Sequence, residues 1–439
     1  MNIDTLLGSN RPIAWYKERW VSTAEFLSGV AALAAPLPEH QYVFNLCQDR
    51  YHFLVGLAAA LQRKQITLLP PNRAPHTLAQ LAASHSDCYC LVDHAEVPAG
   101  LKIFHFDGSS LLDQTADEFL PIAPDQVAVV SFTSGSTGVP QPHLKTWGNL
   151  VASILAQGKR LPFPVKQGAT LVGTVPQQHM FGLESTVLTP WLLGHILVSE
   201  RPFFTADIRA LLAKLPAPRV LITTPLHVRA LVTEQIHLPE LAFILSATAT
   251  LSQRLAQEAE QLYGTPVYEI YGCTETGTLA TRRTTDGEIW RLHEGVALTN
   301  AHGRIFAQGG HVEHSIALND MVQIKNAREF VLQGRLSELV NIAGKRTTLT
   351  DLNLALNEIA GVQDGVFFVP ESASEEVTRL TAFVVAPNLT SAQILKALRE
   401  KIDEAFLPRP LHIVEALPRN ETGKLPRKAL YELQTAMSQ

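Results

Sequence analysis

Between Ser131 and Trp147 the chain reads SFTSGSTGVPQPHLKTW. Thr133, Ser134, Gly135, Ser136, Thr137 and Gly138 follow the strand-like run QVAVVSF and gather hydroxyl donors and main-chain N–H groups in one loop. Glycines let such a loop close round an anion and the hydroxyls add neutral hydrogen bonds, so the stretch is of the phosphate-gripping type. It is not a Walker A loop, which needs a lysine directly after its second glycine, whereas Gly138 is followed by Val139, Pro140 and Gln141. Taken alone, these six residues read equally well as a solvated Ser/Gly turn. Three later stretches add reactive groups: YEIYGCTETG at 268–277 with Tyr271, Gly272, Thr274 and Glu275, Asp320 with Arg335 fifteen residues on, and LPRNETGKLPRKAL at 417–430 with Lys424 in a glycine-flanked turn.

The elements that must hold these groups show in the alternation of apolar runs with helical patterns. YVFNLC, ITLLP and CYCLVD alternate with helix-like stretches from residue 42 onward, and GATLVGTVP, HILVSE, RVLITTP, LAFILSAT and PVYEIYG do the same from residue 168. Such alternation predicts parallel strands joined by helical crossovers, an α/β fold. Ligands of open α/β sheets sit at the C-terminal ends of the strands, which is where the 271–275 group falls. From about residue 287 to 334 short β-like segments with Gly and Asn turns predict a small, mainly antiparallel module. An α+β pattern follows, so the chain divides into residues 1–335 and 336–439.

In order and spacing the four stretches resemble those of the superfamily of AMP-forming adenylating enzymes, which includes acyl- and aryl-CoA ligases, nonribosomal peptide synthetase adenylation domains and luciferases. The resemblance spans residues 130 to 430 and implies a large ATP- and acid-binding N-terminal domain, followed by a small mobile C-terminal lid. It implies that the 133–138 loop binds phosphate, that Tyr271 and Gly272 pack on adenine and that Thr274 hydrogen-bonds the α-phosphate. Glu275 would hold Mg2+, since a hard cation on ATP prefers one carboxylate plus phosphate oxygens. Asp320 would accept from both ribose hydroxyls, Arg335 would close over the sugar and Glu338 would serve as the hinge. Lys424 would supply charge where carboxylate and phosphate meet, an attraction of about 4 kcal/mol per partner at about 4 Å in an effective dielectric of about 20. VPQQHMFGLE at 175–184 resembles a PxxHxxG segment and puts His179 by the acid's carboxylate, with Met180 and Phe181 beside its pocket. Ser246, Ala247 and Thr248 fall where the family has a Ser-Gly-Gly type strand end, and with Gly277 they would bound a pocket for a small flat acid of hydroxybenzoate or cinnamate type.

The chain departs from the family where a lysine is usual after the loop proline: Gln141 stands there, and Lys145 is its expected replacement. The patterns GSTGxPxPxxKxW and SATAxLS resemble a subgroup of aryl polyene and xanthomonadin pigment pathways that loads aryl acids onto an acyl carrier protein. That resemblance implies a cytoplasmic ligase using ATP and Mg2+, with a phosphopantetheinylated acyl carrier protein as acceptor and Gly344 and Lys345 near the arriving arm. An aryl- or acyl-CoA ligase and a catalytically silent binding module of the same fold stay open as alternatives. A formal net charge of -5 offers no basic stripe for nucleic acid, and no apolar run approaches the roughly 18 residues of a membrane span. Cys47, Cys88, Cys90 and Cys273 lack the paired spacing of a zinc site and read as free thiols.

Overall fold

The computed structural model describes residues 11–94, 100–106, 108, 119–134, 140–164, 168–342, 344–370, 379–420 and 423–437. A six-stranded sheet runs in the spatial order Ile103–His105, Cys88–Val92, Tyr42–Asn45, Ile66–Leu69, Val127–Ser134, Pro140–Thr146. Its strands are parallel except for the last, which folds back antiparallel on Val127–Ser134. Every residue of Cys88–Val92 is buried, which explains why the strand is an unbroken apolar run instead of an alternating one.

A second sheet of eleven strands has a parallel centre, in the order Pro12–Tyr16, Ile196–Val198, Thr170–Gly173, Arg219–Thr223, Phe243–Ser246, Val267–Cys273. Beyond Val267–Cys273 it continues antiparallel through Gly277–Arg283, Ile289–Leu292, Glu329–Arg335 and Asp320–Ile324. The β-rich stretch expected as one small module is therefore divided. Ala297–Ala301, Arg304–Gly309 and Val312–Ala317 form their own three-stranded sheet, while the strands on either side extend the large one. The N-terminal hairpin Pro12–Tyr16/Arg19–Ser22, at the far edge, has no counterpart in the sequence reading. Residues past Leu339 form a two-stranded and a three-stranded sheet with the helices Leu349–Asn357, Ser391–Arg399 and Arg427–Met437. They have a core of their own that includes Leu352, Leu356, Phe367, Ile394 and Leu398. No described helix is long and apolar enough to cross a membrane.

The helix Arg50–Gln62 is buried on every side up to Leu61 and lies between the two large sheets. At its start the Arg50 guanidinium is fully enclosed. It donates to the carbonyls of Gly173 and Val175 at 3.0 and 3.1 Å and of Val198 and Glu200 at 2.8 and 3.1 Å. Burial, with the like charge of Arg201, lowers its pKa to about 10, still far above neutrality. An always-charged planar fork can span four carbonyls at two strand ends, which a lysine point charge cannot. Arg50→Met leaves those carbonyls without their donor, and urea denaturation is expected to show a loss of about 3 kcal/mol. A variant as stable as the parent protein would show that the guanidinium does not tie the sheets together.

Candidate active site

A cleft of about 1510 Å³ opens where the C-terminal strand ends of both sheets face the turn that carries Lys424. Thr133, His179, Met180, Phe181, Ala247, Thr248, Tyr271, Gly272, Thr274, Glu275, Gly277, Asp320, Arg335 and Lys424 all line it. Residues spread over almost three hundred positions thus reach one space. Ser134 ends the strand Val127–Ser134, and Gly135, Ser136, Thr137 and Gly138 lie outside the described residues.

The Asp320 group is built by register. Asp320 and Arg335 are cross-strand partners, with Arg335 Nε 3.6 Å from Asp320 Oδ1. The Tyr271 hydroxyl donates to Asp320 Oδ2 at 2.8 Å, and its ring packs on Trp290 and Phe330 with centroids 5.7 and 5.5 Å away. Burial and the neighbouring carboxylate push the phenol's pKa far up, so it stays a donor. Tyr271, expected only as a wall for adenine, also fixes the carboxylate that would meet the ribose.

Glu275 follows the bulged end of Val267–Cys273. Burial works against its charge, but its own backbone N–H, the Cys273 thiol and the charges of His143 and Lys145 outweigh burial and hold the carboxyl below its usual range. His143 Nε2 stands 3.9 Å from Glu275 Oε1 and 3.0 Å from Thr133 Oγ1, connecting the two sheets at this point. One ionised carboxylate at the cleft wall suits Mg2+ shared with phosphate oxygens and water. No group of three or more His, Cys, Asp and Glu side chains that could form an all-protein cage occurs among the described residues.

Lys424 sits in a turn that the chain closes on itself. Its N–H donates to Asn420 Oδ1 at 2.9 Å, and its carbonyl accepts from the Asn420 N–H at 2.9 Å. Gly423, at φ +76°, supplies a left-handed step that a side chain would strain. Arg419 donates to Gly423 O at 2.7 Å and grips Asp364 with two hydrogen bonds of 2.7 and 2.8 Å, fastening the turn to the strand Asp364–Phe368. The ammonium is open to the cleft's water yet walled by protein. Desolvation and the like charge of Arg335 lower its pKa, and Glu275 pulls the other way.

Two expectations need correction. Ser246 does not line the cleft: its residue is fully buried in the sheet, with Oγ unpartnered, because the strand bends only at the next residues. Lys145 is neither solvated nor part of the lining. It is 8% exposed, and its ammonium donates to the Glu275 carbonyl at 2.5 Å, so it supports the turn from beneath. Glu338 stands beside the cleft, not in its wall, and accepts from Thr350 Oγ1 at 2.5 Å. Thr248 lines the pocket at φ +80°, a conformation that costs a β-branched residue about 1–2 kcal/mol. Glu184, the last residue of the His179 segment, went unread as a site residue although it lines the cleft. A lone acid inside the apolar run MFGLESTVLTPWLL was the available signal, because acids are rarely buried without a purpose.

Lys145→Met removes the cation beneath Glu275, and a stability loss of about 2 kcal/mol is expected from the unpaired carbonyl. Calorimetry of the variant is the check; unchanged stability would mean that the ammonium contributes nothing to the turn.

Comparison with known proteins follows the same lines. The curated relatives include a 2-succinylbenzoate–CoA ligase of Staphylococcus epidermidis, 22% identical over 359 residues that cover 75% of this chain and 74% of the relative. They also include a 4-coumarate–CoA ligase of Halorhodospira halophila, 27% identical over 305 residues that cover 67% and 73%. Among solved structures, ATP-bound MatB from Rhodopseudomonas palustris aligns with a TM-score of 0.83 over 100% of both chains at 18% identity. The o-succinylbenzoate CoA synthetase MenE from Bacillus subtilis, in complex with its acyl-adenylate intermediate, aligns with a TM-score of 0.82 over 98% and 97% at 18% identity. These structural likenesses establish the shared adenylating-enzyme fold. The description "AMP-binding enzyme" matches residues 13–312, well over half of the 439, and the chain belongs to that family.

Proposed function

We propose that this chain is an acid–thiol ligase that activates a small aromatic carboxylic acid with ATP and passes the acyl group to a phosphopantetheine thiol. The observation that carries the reading is the convergence of Glu275, Asp320, Arg335 and Lys424 on one cleft with the His179 segment. In the first step an oxygen of the acid's carboxylate attacks the α-phosphorus. A C–O–P linkage forms, the bond to the β-phosphate oxygen breaks and the electron pair leaves with pyrophosphate. Lys424 offsets the repulsion between the two anions, and Thr274 donates toward the α-phosphate. Asp320, held by Tyr271 and Arg335, accepts from the ribose hydroxyls. Glu275 would hold Mg2+, whose contribution is to neutralise phosphate charge. Related structures hold the same groups, MatB bound to ATP and MenE in complex with ATP and magnesium ion.

In the second step the thiol sulfur attacks the acyl carbon, the bond to the phosphate oxygen breaks and AMP departs with that pair, while the thiol proton passes to water. The chain divides for this purpose into an acid- and ATP-binding part, 1–335, and a lid, 336–439, turning about Glu338. Gly344 and Lys345 then come to face the arriving arm. Hinges of this kind concentrate the backbone change in a few boundary residues. The loop and strand-end patterns favour an arm carried on an acyl carrier protein, in pigment synthesis of the aryl polyene type. The names of the curated relatives favour free CoA as a second reading. Their benzoate- and coumarate-type substrates support an aromatic acid here.

Lys424→Ala is expected to fold normally and to lower acid-dependent ATP–pyrophosphate exchange on the order of a hundredfold or more. Exchange at the parent rate would remove Lys424 from the mechanism, and no exchange by the parent protein with any acid would leave the silent-module reading standing. Offering labelled acid with both acceptors separates the two thiols: acyl transfer to carrier protein and not to CoA is expected. Rapid CoA thioester formation with an unlabelled carrier would reverse that assignment.

A further inference from the structure

Glu184 is a buried acid that the steps above do not use. It lies in a π-helical turn, Leu183–Leu188, within a helical stretch that carries no other charged side chain, and is 2% exposed. Such turns widen a helix by one residue and are frequent at functional sites. Here two side chains add bonds to the helix carbonyls: Thr186 Oγ1 donates to Gly182 O at 2.6 Å, and Thr189 Oγ1 to Glu184 O at 2.7 Å, which also accepts from the Thr189 N–H. The widened turn directs the Glu184 carboxyl to the cleft wall beside Gly277.

Three donors meet the carboxyl, Ser153 Oγ on Oε1 at 2.8 Å, Thr278 Oγ1 on Oε2 at 2.7 Å and the Thr278 main-chain N–H, so one acceptor site of about four remains. Among the described residues it makes no ion pair; the nearest cation that acts on it, Lys145, has its ammonium on the Glu275 carbonyl. Burial raises the pKa of Glu184, which the two hydroxyls, Lys145 and the Thr278 N–H partly oppose. A carboxyl this enclosed is costly unless another donor reaches it.

The space in front of it is kept clear. Gly277 has φ +73°, and a Cβ added there would stand 3.0 Å from Glu184 Oε1. Apolar walls at Met180, Phe181 and Ala247 beside a buried carboxylate suit a flat apolar body that carries a polar, hydrogen-bearing substituent.

We infer that Glu184 is the specificity-determining residue for the acid, accepting a hydrogen bond from a ring hydroxyl or amino group, so that the substrates are donor-bearing aromatic acids. This rests on the acid-activating function proposed above. A site built to bond a substrate's donor discriminates strongly against the analogue that lacks it, because its own polar group is then left unpaired.

The test is ATP–pyrophosphate exchange by the full chain with benzoate, 3- and 4-hydroxybenzoate, 4-aminobenzoate and 4-methoxybenzoate. At least one hydroxy or amino acid is expected to exceed benzoate in kcat/KM by roughly 10- to 100-fold, as one hydrogen bond to a charged group allows. The methoxy acid, with an oxygen but no hydrogen to give, is expected to fall at or below benzoate. Comparing the hydroxy and amino arms tells which donor the site takes. In Glu184→Gln the preference should shrink to a few-fold. Should that variant fail to fold, the acid series on the parent protein decides alone. Equal kcat/KM for benzoate and every donor-bearing acid, or a parent preference unchanged in a folded Glu184→Gln, overturns the assignment. Exchange with none of these acids, nor with cinnamate or 4-coumarate, would overturn the acid-activating function itself, and this assignment with it.

Discussion

Everything that faces the cleft depends on the two large sheets holding one relative position, and Arg50 is placed to fix it. Its guanidinium leaves water completely, a cost that only dense hydrogen bonding can offset. Carbonyls at the ends of Thr170–Gly173 and Ile196–Val198 supply that bonding from the larger sheet, while the helix that carries Arg50 follows directly from the smaller one. The requirement is strict because the proposed phosphate loop ends a strand of the smaller sheet, whereas Tyr271 to Glu275 end a strand of the larger. A slip of an ångström between sheets would separate groups proposed to act on one nucleotide.

A second tie lies nearer the chemistry. Lys145 comes from Pro140–Thr146, an edge strand of the small sheet, and its ammonium ends on the main chain of the large one at Glu275. Lys145, the expected replacement for the lysine missing at Gln141, thus lies beneath the wall and not in it. There it supports a carboxylate from behind and stands near buried Glu184. This part of the chain trades direct contact for positioning.

The sequence disclosed the parallel strands because their residues are buried on both faces and so write themselves as apolar runs. It disclosed the cleft residues because hydroxyl-, acid- and lysine-bearing turns recur at recognisable spacing. It did not disclose Arg50, since nothing local marks an arginine whose partners lie more than a hundred residues away. Nor could spacing tell that Ser246 stops short of the cleft while Ala247 and Thr248 enter it, a matter of where one strand bends. The fate of residues 287–334 was hidden for a similar reason. Antiparallel strands look alike whether they close a sheet of their own or lengthen a larger one, and only long-range pairing decides.

Asp320 and Arg335 oppose each other on the outermost pair of strands of the large sheet, and directly after Arg335 the backbone leaves through Leu336–Glu338 for the C-terminal part. Register partners cannot slide independently, since a one-residue slip would turn every neighbouring side chain to the opposite face. The proposed ribose contact and the point where the chain departs for its last hundred residues therefore share a single ribbon.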